Sequence, residues 1–258
     1  MSESKPIGKN ENVKSDEIQV RVNNVKKVYH SGKLTVEALQ DINLTVEKGS
    51  FKMVVGPSGC GKTTLLNLLG GLDSPDTGSI QIALSNGDLQ DITELSKNDL
   101  TLYRRNHVGI IFQFYNLIPI LNALENVELA ARFSKIEDPK KKSKSLLEEV
   151  GLGDKFEHYP SQLSGGEQQR VAIVRALVKD PALILADEPT GNLDTKKSNE
   201  IYRILKKMSE EYGKTILVVS HDEDMADKYA QDHIHIRDGR IIVSEKEAHE
   251  KIYLNNNG

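Results

Sequence analysis

Eight residues, GPSGCGKT at 56–63, constrain this chain more than any others, because they fit G-x-x-x-x-G-K-S/T. The pattern carries weight only directly after a strand and directly before a helix. Here FKMVV (51–55) precedes it, and KTTLLNLLGG follows. That second segment is apolar almost all round, so it is expected as a buried helix, ended by Gly70 and Gly71. Gly56, Gly59 and Gly61 let the backbone curl until successive N–H groups face one phosphate, and the helix adds its positive end. Lys62 can then reach β- and γ-phosphates as a point charge, and the Thr63 hydroxyl can ligate Mg²⁺. A glycine turn with a chance lysine is the bland alternative, and the flanks argue against it.

Two other apolar runs, ALILADE (182–188) and TILVVSHD (215–222), end in ionisable residues. Uninterrupted runs of this kind read as strands covered on both faces by helices, and a parallel α/β sheet binds ligands outside its carboxyl ends. At such an end Asp187 is placed to hold Mg²⁺, and Glu188 to polarise an attacking water as general base. An acidic pair after an apolar run is otherwise only a solvated strand end, so this assignment leans on the cradle. Three single residues are weaker still. His221 can contact a γ-phosphate, Gln113 can orient a water or touch Mg²⁺, and Tyr29 can stack on a base, yet each type is common in purely structural roles. To this point the residues describe an Mg²⁺-dependent nucleoside triphosphatase.

A further stretch, LSGGEQQRVAIVRAL (163–177), reads as a helix that starts on Gly165 and Gly166 with a hydroxyl at Ser164 before them. Its unpaired N–H groups would suit an anion, although the cradle is already a better one. Elsewhere, Ile18, Val20 and Val22, and again Ile42, Leu44 and Val46, alternate as in half-buried strands. Hairpins are expected about Asn86–Gly87 and Asp238–Gly239. From about Asp99 to Gly151 the pattern is mainly helical, with Lys140–Lys142 and Lys144 separating two helices and forming a solvated face. The first 17 residues are polar and lack the apolar segment of a secretory signal. No apolar run reaches the ~20 residues of a membrane helix. One cysteine, Cys60, fits a reducing cytosol. A net charge of −4 gives no field for gripping nucleic acid.

Taken together, Tyr29, GPSGCGKTT, Gln113, LSGGEQ, ALILADEP, Asn192-Leu193-Asp194 and His221 resemble the ATP-binding-cassette (ABC) ATPases in order and spacing. The resemblance covers about Ile18 to Val243, and LSGGEQ is its most specific element. It implies an α/β P-loop NTPase fold: a RecA-like, mainly parallel sheet core, an N-terminal antiparallel β subdomain, and an α-helical subdomain inserted at about 114–164. The polar stretches 1–17 and 244–258 would be tails of one ATPase domain, 18–243. It implies ATP and Mg²⁺ as ligands. Pro57, Ser58, Cys60 and Thr64 would complete the cradle, with Thr63, Gln113 and Asp187 at the metal and Glu188, Gln113 and His221 at the chemistry. It also gives the second anion site a purpose. Ser164, Gly165, Gly166 and Glu167, with Asp194, would face the nucleotide held by a second copy, so that two cassettes pair head to tail with ATP between them.

DITELSKNDLTLYRRNHVGIIFQFYNLIPILNALENVELA and ADEPTGNLD look, more narrowly, like the nucleotide-binding subunits of macrolide-export and lipoprotein-release transporters. That implies a protein on the cytoplasmic face of the cell membrane that drives export or transmits motion across it. Its integral membrane partner would dock near Phe114, Tyr115, Leu117, Ile118 and Pro119, an aromatic-apolar patch that would otherwise fill the helical subdomain's core. Glu167, Asn122 and Cys60 depart from the commoner glutamine, threonine and serine of that group, and none removes a catalytic group. Cys60, at a helix N-terminus, is expected to be reactive and shielded by bound nucleotide. The alternative is a soluble ABC ATPase acting on nucleic acid or ribosomes, but the chain has neither a coiled-coil insertion nor a second cassette. A P-loop kinase or GTPase would have no use for LSGGEQ.

Overall fold

The computed structural model describes residues 17–32, 34–84 and 88–242. β1 (Ile18–Ser31) and β2 (Leu34–Glu47) form a long antiparallel pair. β4 (Thr77–Ala83) and β5 (Leu89–Asp91) extend it to a four-stranded sheet in the order β2-β1-β4-β5. The expected alternation holds on β2, where Ile42, Leu44 and Val46 are buried between half-buried or exposed neighbours, whereas on β1 Gln19 is buried between Ile18 and Val20, its amide donating to Ala83 O at 2.9 Å.

The second sheet has the order β10-β9-β3-β8-β7-β6. β3 (Phe51–Val55), β6 (Val108–Ile111), β7 (Leu183–Asp187), β8 (Thr215–Ser220) and β9 (Asp232–Arg237) are parallel, and β10 (Arg240–Ile242) returns antiparallel on the edge. Every residue of β3 and β8 is buried, as the uninterrupted apolar runs require of strands covered on both faces. On one side lies α1 (Lys62–Leu69), whose Leu65, Leu66, Leu68 and Leu69 are almost wholly buried. Each of those leucines contributes on the order of 2 kcal/mol. The antiparallel sheet packs over the same core. On the other side α6 (Thr195–Tyr212) and α7 (Glu223–Tyr229) bury Tyr202, Leu205 and Met225 against Met53, Ile184 and Val218. A third core joins α3 (Ala123–Phe133), α4 (Pro139–Glu149) and α5 (Gly165–Leu177). α2 (Lys97–Asn106) leads into β6.

Two expectations change in the stretch from Asp99 to Gly151. β6 interrupts it, because a four-residue run such as VGII is too short for its period to tell a strand from a helix. The lysine run does not separate helices either. It lies inside α4, which starts at Pro139, and Lys140–Lys142 form an exposed face there. The hairpin at 238–239 is as expected, with φ of 48° at Asp238 and 73° at Gly239, both left-handed as a type I′ turn requires. β4 and β5 pair from Ala83 to Leu89, while Asn86 and Gly87 lie outside the described residues. So do residues 1–16 and the stretch 244–258 read as tails. Among the described residues no helix is long and apolar enough to cross a membrane.

Candidate functional site

The carboxyl ends of β3, β7 and β8 lie side by side, and each leads into a loop that carries candidate residues. After β3 the chain curls through 56–61. Gly61 stands at φ 109°, where a Cβ would meet the Ala38 carbonyl oxygen at 2.4 Å. A Cβ on Gly56 would lie 2.1 Å from the Ile236 oxygen. Only glycine fits either place. α1 starts on Gly61 with no side-chain cap, so among the described residues the first-turn N–H groups of Lys62, Thr63 and Thr64 are unpaired. Such a start is an anion site. Lys62 is buried, and its ammonium donates to the Gly56 and Pro57 carbonyls at 2.7 and 3.0 Å, folded onto its own loop. Ser58 and Gly59 are exposed on the rim.

Cys60 differs from the expectation. Its side chain is 4% exposed and belongs to the core beneath the loop, with Sγ 2.9 Å from where a Cβ on Gly56 would sit. Only its backbone serves the loop, its carbonyl accepting from the Gly239 N–H at 3.0 Å. At this burial the thiol is turned away from the cradle's exposed face, which Pro57, Ser58 and Gly59 form.

At the end of β7, Asp187 Oδ1 accepts from the Thr63 hydroxyl at 3.1 Å. Burial pushes the Asp187 carboxyl up; the Thr63 hydrogen bond opposes this and the charge on Glu188 adds to it. Glu188 has φ 45°, an unusual conformation for a residue with a Cβ, held by its own N–H on Val219 O at 2.9 Å. Strain of this kind costs about 1–3 kcal/mol and concentrates at functional sites. One carboxylate oxygen of Glu188 lies 2.9 Å from His221 Nδ1, and the other is 3.9 Å from the Lys62 ammonium. His221 is largely exposed, so it and Glu188 face the same opening, a cavity of about 270 Å³ that reaches Thr190 and Asp222.

The other candidates scatter around this centre. Tyr29 donates its hydroxyl to Asp73 at 2.9 Å, and the Lys27 ammonium stands 5.1 Å from its ring centroid. Gln113 is turned toward the loop after Glu188. Its carbonyl accepts from Asn192 Nδ2 at 3.1 Å, and a Cβ on Gly191 would lie 2.8 Å from its amide nitrogen. Sequence reasoning missed Gly191 and Asn192 in that clamp, and Asp73 and Lys27 at Tyr29, because each contact joins distant parts of the chain. Asp194 caps α6 through the Lys197 N–H.

Ser164 caps α5 as expected, and Glu167 returns the bond: its carboxylate accepts from the Ser164 N–H at 2.7 Å. That donation holds the Glu167 carboxyl below its usual range. The capping box uses the Ser164 and Glu167 N–H groups, so among the described residues those of Gly165 and Gly166 remain unpaired. A Cβ on Gly165 would come within 2.8 Å of the Tyr115 hydroxyl. The apolar patch is divided accordingly. Tyr115 turns toward Gly165 and Leu117 packs on the helical core, while Phe114, Ile118 and Pro119 are exposed.

Comparison with known proteins supplies a family. Residues 39–191 match the family model described as ABC transporter. The chain is 42% identical over 210 residues to the lipoprotein-releasing system ATP-binding protein LolD of Cytophaga hutchinsonii, covering 81% of this chain and 93% of that one. It is 40% identical over 227 residues to the macrolide export ATP-binding/permease protein MacB of Bdellovibrio bacteriovorus, covering 88% of this chain and 34% of that protein. An ATP-binding cassette of Methanocaldococcus jannaschii, solved as a dimer in a post-hydrolysis state with ADP and phosphate, superimposes with a TM-score of 0.78. It is 41% identical, over 87% of this chain and 97% of its own.

Proposed function

This chain belongs to the ABC transporter family, and from that membership we propose that it is the ATP-hydrolysing subunit of a membrane complex. It would pair with a second copy of itself and sit on an integral membrane subunit that exports a substrate or transmits motion. The observation that carries the chemistry is Glu188, held in a strained turn between His221 and Lys62. The free oxygen edge of its carboxylate takes the proton as water attacks the γ-phosphorus, and His221 fixes its orientation. Lys62 leaves the two loop carbonyls and moves its charge onto the phosphates. The N–H groups from 62 to 64 hold the phosphate chain, and Tyr29 offers a ring to the base.

Mg²⁺ fits the donor set, since the Thr63 hydroxyl and the Asp187 carboxylate are oxygen ligands 3.1 Å apart. When bound, it neutralises charge on the β- and γ-phosphates. Gln113, clamped by Asn192, stands ready to report the state of that site to the segment 114–119.

The unpaired N–H groups of Gly165 and Gly166 serve the nucleotide of the second copy. Two such contacts close the pair while the γ-phosphate is present, and its loss on hydrolysis releases them. The helical region about 114–164 would form the side on which the membrane subunit docks, with the exposed Phe114, Ile118 and Pro119 as its contact face while Tyr115 and Leu117 turn inward. A nucleic-acid ATPase finds no support in the relatives or in the net charge of −4.

Replacing Glu188 by glutamine tests both halves. Hydrolysis should fall by about a hundredfold or more, and with Mg-ATP the mass by light scattering should double from 28.7 kDa. An ATP-loaded variant that remains a monomer would defeat the shared-site reading, and one that still hydrolyses at the wild-type rate would remove Glu188 from the chemistry.

A further inference from the structure

Tyr29 stands where its own strand is least supported. β1 pairs with β4 only as far as Lys26, opposite Thr77, and beyond that point β2 is its single neighbour in the sheet. The pairing with β2 also shifts register at Lys27 and Val28. A two-stranded ribbon is marginal by itself, so the ladder alone does not fix the direction of a ring near its end. The turn that follows α1 supplies what the missing strand does not. Asp76 accepts from the Val28 N–H at 2.6 Å, and its own N–H donates to Lys26 O at 2.9 Å. Asp73 takes two side chains of β1. Its Oδ1 accepts from the Lys27 ammonium at 2.9 Å and its Oδ2 from the Tyr29 hydroxyl at 2.9 Å.

Asp73 is itself held in place. Lys27 is buried and donates to Ser74 O at 2.8 Å, while the Ser74 N–H donates to Asp73 Oδ1 at 2.7 Å. Burial pushes the Asp73 carboxyl up, but the hydrogen bonds from Lys27, the Ser74 N–H and Tyr29 outweigh it and hold the group below its usual range. The Tyr29 hydroxyl therefore meets a charged acceptor, which binds it more strongly than a neutral one. The turn is folded back on α1, since the Leu72 and Asp73 N–H groups both donate to Asn67 O, at 2.9 and 3.4 Å. The Tyr29 hydroxyl also bonds the Thr64 side chain, in the first turn of the same helix. One helix thus begins at the phosphate cradle and runs into the turn that holds the ring. The Lys27 ammonium lies over the ring, 5.1 Å from its centroid, and Tyr29 remains 40% exposed, which leaves a face free.

We propose that Asp73, backed by Lys27, is a positioning residue for nucleotide binding. It holds Tyr29 by the hydroxyl, so that the free face of the ring stands at a fixed offset from the N–H groups of 62–64 before the base arrives. Binding then need not freeze the side-chain torsions of Tyr29, a cost that a loose ring meets each time. The proposal rests on the reading that Tyr29 meets the base, and it names the residues that make that contact ready in advance.

Calorimetric titration of the full chain tests it with two ligands. Mg-ADP binds without turnover, and inorganic tripolyphosphate carries phosphates and no base. Tyr29→Ala should weaken ADP about thirtyfold, the worth of a base stacked on an aromatic ring. Tyr29→Phe keeps the ring and Asp73→Ala removes its anchor. Each should weaken ADP about fivefold, and the double variant should bind no worse than either, because both changes cut the same tie. Tripolyphosphate should bind all of these variants as it binds wild type. Tyr29→Phe removes a single oxygen from an exposed side chain, so its result stands even if Asp73→Ala does not fold. Wild-type affinity for ADP in Tyr29→Ala takes the ring away from the base and overturns both readings. A loss in Tyr29→Ala with wild-type affinity in Tyr29→Phe overturns the anchor and leaves the ring at the base. Losses that multiply in the double variant, or an equal loss of tripolyphosphate in Asp73→Ala, make Asp73 a support of the fold, and the proposal falls.

Discussion

The chain carries two helix starts that offer bare N–H groups to an anion, and they are built in opposite ways. At the start of α1 the site is closed off by backbone: Gly61 lies against Ala38, Gly56 against Ile236, and Lys62 occupies the hollow. At the start of α5 the glycines lie against side chains of the same molecule, Gly165 against Tyr115 and Gly166 against Lys197. Ser164 and Glu167 cap each other there, and Ser164 is exposed. The first start has Glu188 and the Thr63–Asp187 pair of the same chain beside it. The second has donors and no such company. On the proposed reading, one is a pocket and the other is half of an interface.

If that contrast is right, one methyl group should act differently at the two places. The larger effect belongs to Gly61→Ala. Its Cβ would press on a backbone oxygen at 2.4 Å, from a φ of 109°. The cost should be about 3 kcal/mol in denaturant unfolding, because neither backbone can give way. ATP binding should be lost with it, as measured by a fluorescent nucleotide. Wild-type stability and affinity would mean the cradle is not the rigid object described.

Gly166→Ala is the milder counterpart. Its Cβ would meet only methylenes of Lys197, at 3.4–3.7 Å, so unfolding should shift by less than about 0.5 kcal/mol. The isolated chain should still bind ATP. In a Glu188→Gln background, however, the ATP-driven doubling of mass should disappear if the proposed pairing is right, since the added methyl narrows the space at the N–H groups offered to the second copy. Undiminished pairing would show that Gly165 and Gly166 do not cap that phosphate.

The same contrast explains what the sequence could reveal. The cradle, the acidic end of β7 and the capped start of α5 are local: strand, turn and helix are contiguous, and residue type at fixed spacing defines the chemistry. What escaped is assembled from separate elements. Gln113 is clamped by Asn192 across 79 positions, and Arg104 of α2 meets Arg175 and Lys179 at the end of α5 only when those elements pack about β6. Cys60 escaped for a subtler reason. Its position in the loop was evident, but whether its side chain faces phosphate or core depends on the direction of the turn, which single-residue reading does not supply. The strand β6 was hidden by its length, and α4 by a lysine run that resembles a linker until Pro139 and Leu147 place it on a core.

The smallest effect sharpens the comparison from the side of the pocket. A complete site must keep charged groups together before any ligand arrives, and Asp187 bears part of that cost. Burial raises its carboxyl above the unfolded value, so ionisation works against folding once the pH exceeds the carboxylate range. Asp187→Asn removes that cost. Without nucleotide, the variant should melt slightly above wild type at about pH 7.5, and the gap should close as acid protonates the wild-type carboxyl in both states. With Mg-ATP the order should reverse. Wild type gains about 2.7 kcal/mol from ligand at a hundredfold excess over Kd, whereas the variant has lost a metal ligand and gains less. Scanning fluorimetry of both proteins, with and without Mg-ATP, measures all four values. A variant that melts lower than wild type in the absence of nucleotide would show that Asp187 supports the fold, and that the pocket holds no charge at the fold's expense.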